Sequence, residues 1–227
     1  MTATSIWKLV IAFASLTALL AEGALPQPAL AASSDRPIVI VAYGDSLTAG
    51  YQLPPEAAFP VQLEKALRAK GYNVRVVNSG VSGDTAEDGL ARFDWAMPKQ
   101  ADAVILELGA NDALRGIPVA QTKTALSEIL SRLKERRIAV LIAGMEAPRN
   151  WGDEYVKQFR AMYPSLAESG GALLYPFFLK GVALDPSLNL TDGLHPTPKG
   201  VALIVENMLP DIEKLIERVK AQRAHAS

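Results

Sequence analysis

Ile38-Val39-Ile40-Val41-Ala42-Tyr43, followed without a break by Gly44-Asp45-Ser46-Leu47-Thr48, decides the architecture of this chain. An apolar, β-branched run without polar alternation reads as a strand covered on both faces, and such strands belong to parallel sheets. Four more runs of this kind follow: Val74 to Asn78, Ala103 to Leu108, Ile138 to Ala143 and Ala172 to Tyr175. Helical patterns fill the gaps. Leu126, Ile129, Leu130 and Leu133 fall on one face of a helix, as do Ile212, Leu215, Ile216 and Val219 near the end of the chain. Strands alternating with helices imply parallel pairing and right-handed crossovers. The prediction is an α/β protein, a three-layer α/β/α sandwich around a five-stranded parallel sheet, with no internal repeat or linker.

Ligands of open parallel sheets bind where loops leave the carboxyl ends of the strands. The loops expected there span 44–50, 79–85, 109–115 and the segment before the last helix, and the unusual chemistry of the chain lies in them. Ser46 stands in the first. A serine hydroxyl is a poor nucleophile until a neutral imidazole takes its proton, and a carboxylate is needed to hold that imidazole in the right tautomer. The chain has only two histidines, and His225 lies in the polar C-terminal tail. His195 is therefore the candidate base, Asp192 its candidate carboxylate, and Pro196 and Pro198 stiffen the segment that carries both. Gly83 lets a backbone N–H approach a ligand closely, and Asn111 offers a side-chain N–H; with the Ser46 amide they make three candidate donors to an oxyanion. Singly, each has a plainer reading, Ser46 as a helix cap, Gly83 and Asn111 as turn residues. Acidification is expected to lower activity as the imidazole protonates.

The chain has 227 residues, and its 23 Lys and Arg against 24 Asp and Glu leave a net charge of -1, with the signs interspersed. That distribution offers no footprint for nucleic acid. The densest basic cluster, Arg132 to Arg137, reads as a solvated helix end. No Gly-Lys-Ser/Thr loop is present, and no Gly-x-Gly-x-x-Gly follows a strand, which excludes the phosphate-binding α/β classes. Cysteine is absent, so there is no disulfide, thiolate nucleophile or thiolate metal site. Lys8, the apolar run from Leu9 to Ala21 and Ala29-Leu30-Ala31-Ala32 are the parts of a secretory signal. Residues 1–31 are thus expected to be a leader and residues 32–227 one mature domain; a cut near Gly23 or Ala24 is the alternative. The apolar run is shorter than the roughly 20 residues that cross a bilayer, so no stable span is expected in the mature form. An uncleaved anchor is the competing reading.

Gly44-Asp45-Ser46-Leu47-Thr48-Ala49-Gly50-Tyr51, Gly80 to Thr85, Gly109-Ala110-Asn111-Asp112 and Asp192-Gly193-Leu194-His195-Pro196 resemble, in order and spacing, the four blocks of the SGNH (GDSL) hydrolases. The likeness covers essentially the whole mature chain. It implies a flavodoxin-like sandwich and a serine hydrolase of the arylesterase, lysophospholipase or acyl thioesterase type. Ser46, His195 and Asp192 would be its catalytic residues, and Ser46, Gly83 and Asn111 its oxyanion donors. Tyr155, Phe159, Tyr163-Pro164 and Pro176-Phe177-Phe178 resemble segments of the bacterial periplasmic members, and Leu114-Arg115-Gly116-Ile117-Pro118 resembles their acyl-contacting loop. Ile117 to Val119, Trp151 and Phe177-Phe178 are expected to line a groove for an acyl chain. The resemblance implies a small acyl ester or thioester as substrate, no cofactor and no metal, and a monomer in the periplasm or outside the cell. A carbohydrate O-acetyl esterase of the same fold and a non-catalytic binding module are the alternatives.

Overall fold

The computed structural model describes residues 36–226; the leader expected at residues 1–31 lies outside them. Strands β1 (Ile38–Gly44), β2 (Val74–Gly80), β3 (Ala103–Glu107), β4 (Ala139–Ala143) and β5 (Leu173–Tyr175) form one sheet in the order β2-β1-β3-β4-β5, with every pair parallel. Each strand begins and ends within two residues of the apolar run that foretold it. Helices α1 (Ser46–Ala49), α2 (Phe59–Ala69), α3 (Ala86–Ala91), α4 (Phe93–Ala96), α5 (Ala110–Arg115), α6 (Val119–Glu135), α7 (Asp153–Gly170) and α8 (Pro198–Ala226) connect and cover them.

The chain steps from β1 outward to β2, then reverses to β3, β4 and β5. Right-handed crossovers in opposite directions put their helices on opposite faces. Accordingly α2 packs against α8, while α6 packs between α3 and α7. Leu126, Ile129, Leu130 and Leu133 of α6 are buried, as are Ile212, Leu215, Ile216 and Val219 of α8. Each such side chain is worth about 1.5–3 kcal/mol of burial, so the two stripes anchor both outer layers.

The expectation that every strand is covered on both faces holds for β1, β3 and β4, which are buried throughout. It fails at β2, where Arg75 and Asn78 are exposed, and at β5, where Leu173 and Leu174 are only half-buried. These two strands are the sheet edges, and an edge has helix cover on fewer sides. The basic cluster at the end of α6 also makes specific contacts. Arg132 and Arg136 both pair with Asp94 and flank the buried Phe93 ring, at 5.9 and 4.9 Å from its centroid. The reversal of strand order between β1 and β3 opens a crevice at their carboxyl ends, the place where such sheets hold ligands.

Candidate active site

The turn after β1 is shaped by what lies beneath it. Asp45, buried to 0% exposure, is the N-cap of α1, and its Oδ1 accepts the Leu47 amide at 3.0 Å. Ser46 is thus the first residue of a one-turn helix, not its cap, which corrects the plainer reading of that serine. Gly50 closes the turn at φ 84°, a conformation that favours glycine. The strand glycines Gly44 and Gly80 lie side by side in register. A Cβ on Gly80 would stand 2.7 Å from the Ala49 Cα and 2.9 Å from the Asp45 carbonyl oxygen, so the bare backbone lets the turn lie flat on the sheet.

His195 arrives from the far end of the chain on a segment tied down by its own backbone. The Leu190 amide donates to the His195 carbonyl at 2.7 Å, the Thr197 amide to Leu188 O at 2.8 Å, and Gly193 takes φ 70°. Asp192 Oδ1 accepts the amides of Leu194 and His195 at 2.9 and 3.0 Å, and its Oδ2 faces His195 Nδ1 at 2.7 Å. The amides of His195 and Leu194 hold the Asp192 carboxyl down at about 2. An ionised Asp192 requires the proton on Nδ1, which leaves the Nε2 lone pair free. That nitrogen lies 2.9 Å from Ser46 Oγ. Tyr51 covers the imidazole, ring centroids 4.6 Å apart.

The loops of the other expected donors are bonded to the end of β1 and its turn, Val81 N to Gly44 O and Asn111 Nδ2 to Asp45 Oδ2. Gly83 takes φ 90°, and its carbonyl accepts Arg115 Nη2 at 2.9 Å. Among the described residues, no acceptor takes the amide hydrogens of Ser46 or Gly83. Asn111 is differently placed: its Nδ2 donates to Asp45 Oδ2 at 3.2 Å and to the Asp84 carbonyl at 3.0 Å, so both of its hydrogens are engaged. The loops are locked to one another by buried polar groups. Arg92 pairs with Asp84, donates to Gly44 O at 3.0 Å and lies 4.2 Å over the Tyr43 ring. Asp112 accepts the Ala86 amide and the Thr122 hydroxyl, both at 2.9 Å.

The sequence reading missed a second carboxyl group under the turn. Glu107, also 0% exposed, accepts the Thr48 hydroxyl at 2.7 Å and the Asp45 amide at 3.3 Å on Oε2. Burial pushes Asp45 up to about 6, and burial together with the neighbouring Asp45 pushes Glu107 well above the usual carboxylate range. The available signal was a lone charge closing an apolar strand, Ala103-Val104-Ile105-Leu106-Glu107. The expected acyl groove also needs one correction. Phe178 is fully buried and packs edge-on against Phe59 at 5.1 Å, so it belongs to the core. Trp151 stays at the surface, its Nε1 donating to Ala113 O at 2.8 Å, and Tyr155 holds the same loop through Ile117 O at 2.8 Å. Among the described residues, no three of His, Asp and Glu gather as they would around a metal ion.

A parallel sheet with a serine, an imidazole and a carboxylate in line at its carboxyl edge has the layout of an acyl hydrolase. Comparison with known proteins agrees: the model of the GDSL-like lipase/acylhydrolase family matches residues 42–203, and the chain belongs to that family. It is 39% identical over 186 residues to an arylesterase of Vibrio mimicus, covering 82% of this chain and 93% of that one. To thioesterase 1/protease 1/lysophospholipase L1 of Escherichia coli K12 it is 37% identical over 187 residues, or 82% and 87% of the two chains. The crystal structure of AlinE4, an SGNH-hydrolase family esterase, superimposes with a TM-score of 0.68 at 44% identity, covering 80% of this chain and 98% of that one.

Proposed function

We propose that this protein hydrolyses carboxylic esters or thioesters of apolar acyl groups through an acyl-enzyme on Ser46. The reading rests above all on the continuous line from Asp192 through His195 to Ser46, whose last hydrogen bond joins residues 149 positions apart. Ser46 Oγ attacks the carbonyl while His195 Nε2 takes its proton, and ionised Asp192 stabilises the imidazolium. The unengaged amides of Ser46 and Gly83 receive the oxyanion. The imidazolium then protonates the departing alcohol or thiol. Water, deprotonated by the same nitrogen, releases the acid and restores Ser46. Every step is carried by side chains and amides of this chain.

The character of the crevice rim supports an apolar acyl group. Of the large apolar residues that are exposed, Tyr51, Val81, Leu114, Trp151 and Leu194 each follow a different strand at the carboxyl edge. Apolar groups exposed after all five strands, on the edge where open parallel sheets hold ligands, favour a hydrocarbon chain. The names of the similar proteins, an arylesterase and a thioesterase/lysophospholipase, favour this substrate class over a sugar O-acetyl ester. The leader would deliver residues 32–227 to the periplasm or beyond it as a monomer.

The test is a series of nitrophenyl esters from acetate to palmitate. The expected result is a kcat/KM that rises from acetate toward medium-length chains, as each buried methylene adds up to about 0.8 kcal/mol. A steep preference for acetate, with acetylated glycans the best substrates, would replace this reading with the carbohydrate esterase. A second expectation concerns Asn111. Its hydrogens are already held by Asp45 and Asp84, so it serves the oxyanion by sharing one of them. Asn111→Ala should cost on the order of 100-fold in kcat, the lower end for an oxyanion donor, with KM little changed. Steady-state kinetics of the purified variant checks this.

A further inference from the structure

We propose that Glu107 is a positioning residue that works as a neutral carboxylic acid, holding in one rigid piece the turn that carries Ser46 and the Asp45 carboxyl group that grips Asn111. The inference relies on the acyl-transfer reading only where activity is the readout.

The strand register brings this about. Gly44 stands directly beside Glu107 on the adjacent strand. A Cβ on Gly44 would meet Glu107 Oε2 at 2.5 Å, so the glycine leaves the space into which the carboxyl group folds. There Oε2 accepts from the Thr48 hydroxyl and the Asp45 amide. These two donors flank Ser46 on either side in the chain, so one oxygen atom fixes both ends of the nucleophile's turn. Asp45 in turn accepts from Leu47 and Asn111. The serine and the side-chain oxyanion donor are therefore tied to one buried pair of acids.

The charge state follows from the surroundings. Oε1 of Glu107 is buried and has no hydrogen-bond partner among the described residues. Among the described residues no cation pairs with Glu107 or Asp45; the neighbouring guanidinium, Arg92, is committed to Asp84 and to the Gly44 carbonyl. A bare carboxylate oxygen sealed from water beside a second carboxyl group is far costlier than a neutral acid. Placing the proton on Oε1 leaves Oε2 as the carbonyl that accepts both donors. The other titratable groups whose fields reach this pair are Asp112 on α5, Tyr163 on α7 and His195. Of these, only His195 can carry a positive charge, and it lowers the Asp45 value rather than pairing with Glu107.

Glu107→Gln keeps a carbonyl where Oε2 stands and puts an amide where Oε1–H stands. Its kcat is expected within about threefold of the parent, whereas Glu107→Met, which removes the acceptor, should lose roughly 10- to 100-fold in kcat with KM nearly unchanged. A Glu107→Gln variant as impaired as Glu107→Met would mean that an ionised carboxylate is required, and the proposal fails. It fails equally if Glu107→Met keeps the parent kcat. Two measurements stand apart from catalysis and remain decisive if Glu107→Met does not fold. At about pH 8 the infrared spectrum of the parent should contain a protonated carboxylic acid band that is missing in Glu107→Gln. The melting temperature of Glu107→Gln relative to the parent should also rise with pH above the ordinary glutamate range. Only the parent carries Glu107, neutral when folded and ionised on unfolding, so relative to the variant its stability falls with rising pH toward the folded value. An unchanged infrared spectrum together with a pH-independent difference in melting would overturn the protonation claim. An inactive parent that still passes both measurements would instead overturn the acyl-transfer reading alone.

Discussion

Ser46→Ala is expected to lower kcat by roughly 10⁵- to 10⁶-fold while leaving the circular dichroism spectrum and the melting temperature of the parent in place. The hydroxyl meets His195 Nε2 at 2.9 Å and, among the described residues, is the one nucleophile in line with an imidazole. His195→Ala should cost about as much, and the double variant hardly more than either alone, because base and nucleophile act as a unit. Asp192→Asn is expected to lose less, roughly 10⁴-fold. Its Oδ1 can still accept the amides of Leu194 and His195, so the loop keeps its shape while the imidazole loses its partner charge. A serine-reactive phosphonate should label the parent once per chain and leave Ser46→Ala untouched. Substantial esterase activity in purified Ser46→Ala or His195→Ala, or labelling of the alanine variant, would remove Ser46 from the mechanism.

Gly44→Ala should destabilise the protein by about 3 kcal/mol or more, the upper part of the range for overpacking a filled site. The new methyl group would meet the Glu107 carbonyl oxygen and its Oε2, both at 2.5 Å, as well as the Thr48 hydroxyl. One of these contacts is backbone of the central strand β3 and cannot swing aside. Gly171→Ala is the matched control: it has open space around its Cβ position and φ 66°, so it bears only the left-handed backbone cost of about 1–2 kcal/mol. Thermal unfolding of both would separate the two effects, with a fall of roughly 6–12 °C expected for Gly44→Ala. Residual Gly44→Ala should also be a poor esterase, since relieving the clash displaces the Ser46 turn. A Gly44→Ala protein as stable and active as the parent would show that the close packing under this turn is dispensable.

Much of this could be read before any fold was visible, and the reasons are local. Unbroken apolar runs such as Val39-Ile40-Val41 can only be satisfied inside a sheet, and α6 carries a stripe at helical spacing from Leu126 to Leu133, so element type and order followed from periodicity. The scarcity of histidine pointed to His195, and the prolines after it to a stiff segment. Local patterning was weakest where burial depends on neighbours. Val76 and Val77 of β2 are as apolar as the residues of β1, yet they lie on an edge because the chain reverses direction after β2. Phe178 looked like a groove residue beside Phe177, but Phe59, far away in sequence, claims it for the core.

The amino-acid order by itself determined the alternation of strands and helices, the loops in which chemistry is concentrated and the residue types that compose it, because periodicity and turn preference act over a few neighbouring residues. Tertiary structure alone decided that His195 Nε2 meets Ser46 Oγ, that both hydrogens of Asn111 are already held, and that the lone charge ending β3, Glu107, lies buried beneath the serine. These are contacts across strand register and between crossovers. Their energies come from desolvation and from donor–acceptor matching among residues that the chain keeps far apart until the sheet closes.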